Sequence, residues 1–79
     1  MIVKNNFIKI TSASGLKQLT QYKMGTYYDK KPEFVIFNIN DISYIMSSNH
    51  VYITKGDTKM MLTLTPQAIE SLEEIIFKE

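Results

Sequence analysis

Between His50 and Phe77 the hydrophobic period changes once, and the place where it changes limits the fold more than anything else in this chain. Val51 and Ile53 alternate with His50, Tyr52 and Thr54; after a Lys55-Gly56-Asp57 bend, Met60, Leu62 and Leu64 alternate with Met61 and Thr63. A period of two on both sides of a glycine bend is the pattern of a β-hairpin with one buried face. Directly after it, Thr65 suits an N-cap and Pro66 the first helical position, and Ile69, Leu72, Ile75 and Ile76 recur at helical spacing. Glu70, Glu73 and Glu74 lie toward the start of that helix and Lys78 at its end, the signs that complement its macrodipole. A fourth acid, Glu79, closes the sequence. A hairpin joined without a linker to one amphipathic helix predicts an α+β fold, a small antiparallel sheet of about four strands with the C-terminal helix packed on one face.

The upstream segments extend this sheet. Phe7, Lys9 and Thr11 alternate with Ile8 and Ile10, a short strand ended by Ser12-Ala13-Ser14-Gly15. The run FVIFNI, 34 to 39, is β-branched and aromatic and reads as a central strand covered on both faces. Asn40-Asp41 marks a turn or bulge, Ile42 and Ile45 carry the apolar pattern through DISYIM, and Ser47 to His50 form a polar tip. Residues 16 to 33 admit two readings. Ser14 can cap a short helix near 15–24 with Leu16, Leu19 and Tyr22 on one side and Gly25 as its left-handed stop. LTQYKMGTYY can equally form a hairpin bent at Gly25. The capping signals favour the helix, with Asp29 to Glu33 as a turn or loop around Pro32.

Seventy-nine residues make a single domain, 1–79, near the size at which one core is barely sufficient. Such cores supply about 3–5 kcal/mol, and small domains often add disulfides, a metal or a partner subunit. Without cysteine the first is excluded, so self-association as a homodimer is expected, and the edge strands of an open sheet offer the place for it. Net charge is +1, with nine lysines and no arginine, the side chain that clamps phosphate or guanine through two parallel hydrogen bonds. Base-specific DNA reading is therefore disfavoured. Zero cysteine fits a reducing interior, Met1 to Asn6 has no secretory leader pattern, and no apolar run nears the roughly 20 residues of a membrane span. A cytoplasmic protein without membrane contact is expected.

DISYIMSSNHVYITKGDTKMMLTLTPQAIESLEEII resembles the first half of a LytTR-type DNA-binding domain, with Asp41, Ile42, Tyr44, Ile45, Ser47, Val51, Tyr52, Ile53 and Gly56 at matching places. The family's DNA contacts lie mainly after that helix, in a run similar to F-x-R-x-H-x-S-x-x-V-N, which has no counterpart up to Glu79. Met46 also stands where an acid is usual. More broadly, FIKITSASG, FNINDISYI and VYITKGDTKMMLTLTPQAIESLEEII resemble, in that order, FlbD-like small proteins of flagellar operons and phage genomes. The departure is an insertion from Leu16 to Glu33. The second resemblance implies a phage or mobile-element setting, in which such a protein inhibits or regulates a host protein by occupying its surface.

No catalytic constellation stands out. His50 is the sole histidine and lacks further ligands for a metal or a spacing that suggests a nucleophilic pair. Glu70, Glu73, Glu74 and Glu79 suit a solvated helix face better than acid–base work. The glycines at 15, 25 and 56 each suit a turn, and no phosphate loop or cofactor fingerprint is present. An enzyme is not expected, and neither a cofactor nor a metal. The patch that stands out is YKMGTYYDKK, in which Tyr22, Tyr27 and Tyr28 mix with Lys23, Lys30 and Lys31. Rings and lysines together suit a protein-binding surface or a single-stranded nucleic-acid groove, and the structural alternative is tyrosines finishing the core beside a solvated loop. The expected function is a non-catalytic binding module acting through protein–protein contacts. The alternatives are a nucleic-acid-binding regulator resembling a truncated LytTR domain, and capture of a small anionic ligand by the lysines.

Overall fold

The computed structural model describes residues 1–78; Glu79 lies outside them. Eight strands precede one helix: β1 (Ile2–Lys4), β2 (Phe7–Thr11), β3 (Leu16–Lys23), β4 (Thr26–Lys30), β5 (Phe34–Asn38), β6 (Ile42–Met46), β7 (His50–Lys55), β8 (Thr58–Leu64) and α1 (Pro66–Ile76). They form two antiparallel sheets, β1-β2-β5 and β4-β3-β8-β7-β6. The α+β class stands, with twice the expected strands.

Short-range turn chemistry accounts for the extra strands. Asn5 and Asn6 both adopt positive φ, 52° and 69°, and close β1 onto β2 in a two-residue turn, since asparagine tolerates the left-handed region. Met24 and Gly25, at 53° and 82°, do the same between β3 and β4. In the β6–β7 turn Asn49 takes the left-handed position at 66° and donates its N–H to the Met46 carbonyl (3.0 Å). His50 already belongs to β7, so the tip comprises Ser47 to Asn49.

Residues 15–24 are not a helix. Leu16 to Lys23 is β3, and with β4 it forms the hairpin bent at Gly25, so Asp29 and Lys30 are strand and not loop. Two local features explain the correction. Ser14 is engaged upstream: its Oγ accepts from the Thr11 N–H (2.8 Å) and donates to the Thr11 carbonyl (3.1 Å), which leaves no cap for a helix. A bulge then separates Leu16 from Gln18, whose partners Leu64 and Thr63 are consecutive on β8. One extra residue in a strand turns a spacing of three into one face, so Leu16 and Leu19 both point inward. The segment FVIFNI is also not a covered central strand: β5 is an edge, with Phe37 buried but Phe34 and Ile36 exposed. A single 3-10 turn, Ile39–Asp41, links β5 to β6 and is started by Asn38, whose side chain accepts from the Asn40 N–H (2.8 Å).

One core joins both sheets to the helix. Ile8 and Ile10 from β2, Phe37 from β5, Leu16, Leu19, Val51, Ile53, Leu62 and Leu64 from the larger sheet, and Ala68, Ile69 and Leu72 from α1 are buried together. Ile42 and Ile45 are half-buried at its border, as are Met60, Ile75 and Ile76. Thr65 caps the helix, accepting from the Ala68 N–H (3.2 Å), and its own N–H donates to the Gly15 carbonyl (2.9 Å). Among the described residues no polar side chain is buried, so the interior holds no candidate for acid–base chemistry. Among the described residues no helix is long and apolar enough to cross a membrane.

Candidate interaction surface

Strand register sorts the larger sheet into a core face and an outer face. On β3 and β4 the pairs Leu19 with Lys30, Gln21 with Tyr28 and Lys23 with Thr26 share the parity of the buried Leu19. The pairs Thr20 with Asp29 and Tyr22 with Tyr27 have the opposite parity, and Thr20 Oγ1 donates to the Asp29 carboxylate (2.8 Å) on that outer face. Continuing across the sheet, Tyr22 opposes Lys59, Thr20 and Tyr52 flank Met61 from either side, and Tyr52 opposes Tyr44.

The outcome is a band of tyrosines on four of the five strands, bridged by Lys59 and Met61 of β8. Tyr22 and Tyr27 contact at a ring-centroid distance of 5.0 Å with planes tilted by 54°. Tyr44 and Tyr52 stack at 4.4 Å and 19°. Between the two pairs Met61 and Lys59 complete a shallow open depression of about 360 Å³. Tyr27 is 70% exposed and Tyr44 54%, while Tyr22 and Tyr52 are half-buried. Tilted and stacked ring contacts restrain the side chains against one another and leave Tyr27 and Tyr44 largely open to solvent. A rigid, flat, amphipathic surface of this kind loses little conformational freedom when it is covered.

The expected patch is therefore divided. Tyr22 and Tyr27 join the band, whereas Tyr28, Lys23 and Lys30 line a separate exposed depression with Gln21 and Met24, and Lys31 is exposed in the loop after β4. Tyr44, Tyr52, Lys59 and Met61 were not anticipated as part of the site. Their signal was present in the sequence: Tyr52 alternates against Val51 and Ile53, and Met61 against Met60 and Leu62, so both belong to an outward face once the pairing is known. His50 stands apart from the band, its Nδ1 paired with Ser48 Oγ at 2.9 Å on the exposed tip. No group of three His, Cys, Asp or Glu side chains among the described residues is arranged to hold a metal ion. Neither family models, nor curated proteins, nor solved structures give a match to this chain.

Proposed function

We propose that this chain is a non-catalytic binding module that uses the tyrosine face of its five-stranded sheet to dock on a partner protein. The observation that carries the reading is the band Tyr27-Tyr22-Tyr52-Tyr44 with Met61 at its centre, the residue types enriched where proteins meet. A single-stranded nucleic acid is the weaker partner. Of the lysines in the expected patch, Lys23 and Lys30 lie on the opposite face, and Lys59 supplies the charge within the band. In the phage or mobile-element setting that the FlbD-like order suggests, such a module acts in the cytoplasm by occupying a host protein's surface.

The module is also proposed to act as a homodimer. Its accessible surface is 5584 Å², against about 4,900 Å² for a folded monomer of 9.2 kDa. The excess, roughly 700 Å², is close to what one partner buries in a standard interface. Much of the uncovered apolar surface lies on the outer face of the smaller sheet, where Ile2, Phe7, Phe34 and Ile36 surround Lys9, whose ammonium sits 4.9 Å from the Phe34 ring centroid.

The partner reading is tested by affinity capture with the native chain and with a Tyr27→Ser/Tyr44→Ser variant, both substitutions being at exposed positions. Loss of a specific protein from the variant, with its circular dichroism unchanged, is the expected result. An identical set of captured proteins removes the reading. Binding of a labelled single-stranded oligonucleotide that weakens steeply with salt would replace it with the nucleic-acid alternative.

A further inference from the structure

β6 is the last strand of the larger sheet: it pairs with β7, and no described strand pairs with its other edge. That edge borders an open groove of about 980 Å³ whose far wall is α1. The walls are mostly apolar. Ile42 and Ile45 contribute from β6, Ile69 and Ile76 from the helix, and Phe77, 76% exposed, marks the helix end. Glu70 and Glu73, three residues apart and so neighbours on the helix surface, are exposed along the helical wall.

Together these features specify an occupant. The alternate N–H and C=O groups of a free strand edge are satisfied by extended backbone. In an added strand every second side chain would face the helix and enter the groove, while the others would continue the outer face beside Tyr44. An apolar side chain in the groove would rest on the isoleucines that line it, and a lysine or arginine at another groove-facing position would lay its aliphatic stem on the apolar wall with its charge toward Glu70 and Glu73.

We propose that the groove between β6 and α1 binds an extended segment of a partner protein by strand addition, with apolar and basic residues alternating at its groove-facing positions. A second copy of this chain is a poorer occupant. Pairing β6 with β6 about a two-fold axis sets the same acids of both helices toward one another. The inference stands independently of the tyrosine band, which occupies the outer face of the sheet.

The test is an amide-resolved NMR titration of the full chain with the peptide Thr-Lys-Thr-Val-Thr-Lys-Thr, which presents Lys, Val and Lys on one side when extended. Saturable shifts confined to Ile42–Met46 and to residues 69–77 are expected. They should vanish when the lysines are replaced by glutamate, and also when the peptide is N-methylated along its pairing edge. A Glu70→Lys/Glu73→Lys variant, altered at exposed positions, should reverse the charge preference. Three results would overturn the proposal: no shifts, equal shifts with the acidic or N-methylated peptide, or shifts in the same residues on raising the concentration of the protein alone.

Discussion

Gly15 shows how a single residue ties the two ends of this sequence together. Its φ is +115°, outside the range that residues with a Cβ readily adopt, and a Cβ built there would lie 2.5 Å from Thr65 Oγ1 and 2.7 Å from the Ala68 Cβ. The helix N-terminus therefore packs directly on glycine backbone, and the Gly15 carbonyl accepts the Thr65 N–H. Gly25 is a useful contrast, since it has φ +82° but a Cβ added there would meet nothing within 4 Å. Gly25→Ala should cost about 1 kcal/mol, the backbone penalty alone, and Gly15→Ala about 2–4 kcal/mol, because the clash adds to it. Urea denaturation reads both as a lower midpoint at unchanged slope, and equal costs would show that the helix can retreat from Gly15 freely. The sequence marks Gly15 as a strand breaker. Its role as the seat of the helix cap is invisible there, because the contact joins residues some fifty positions apart.

At the level of elements, the hairpin of β3 and β4 is where local sequence and tertiary pairing part company. Leu16, Leu19 and Tyr22 have helical spacing, Ser14 is a competent cap residue, and Gly25 is a competent stop. In the fold the bulge after Leu16 supplies the same spacing within a strand, and Tyr22 turns outward while Leu19 turns in. By contrast, β7, β8 and α1 were legible at once, since each repeats one period without interruption and Thr65 caps the helix as its residue type suggests. The open outer face of β5 was not legible, because a run of apolar residues looks the same whether its second face meets a helix or water. The hairpin also holds an evident local imperfection. Met24, 92% exposed, occupies the first left-handed turn position at φ 53°, where asparagine is far better suited. Met24→Asn should stabilise the chain by about 0.5–1 kcal/mol, since it relieves backbone strain at a side chain that is almost wholly exposed. The check is a thermal melt, in which the midpoint should rise by a few degrees; a lower midpoint would mean that Met24 makes a contact the fold depends on.

For the whole molecule, the balance between core and surface decides whether it works alone. Among the described residues twelve apolar side chains are buried in one cluster, yet Ile2, Val3, Phe7, Phe34 and Ile36, all of the smaller sheet, remain exposed. A chain of this size has little stability to spare, and covering one face of a three-stranded sheet by a second copy is a direct way to add to it. Length and the absence of cysteine raise self-association as an expectation, and the place proposed for it follows from the β2–β5 register, which sets Phe34 and Ile36 on one face with Phe7. Ile36 is the best position to probe, because it lies opposite Lys9 in the β2–β5 register. A glutamate there gains a cross-strand cation in the monomer and carries a desolvation cost into any interface that covers it. Sedimentation equilibrium should therefore give a dimer for the native chain and at least a tenfold weaker association for Ile36→Glu, equivalent to about 1.4 kcal/mol. The melting temperature of the native chain should rise with protein concentration, and that dependence should shrink in the variant. A native chain that sediments as a monomer at every concentration, with a melting temperature independent of concentration, would show that the uncovered face of the smaller sheet serves some purpose other than self-association.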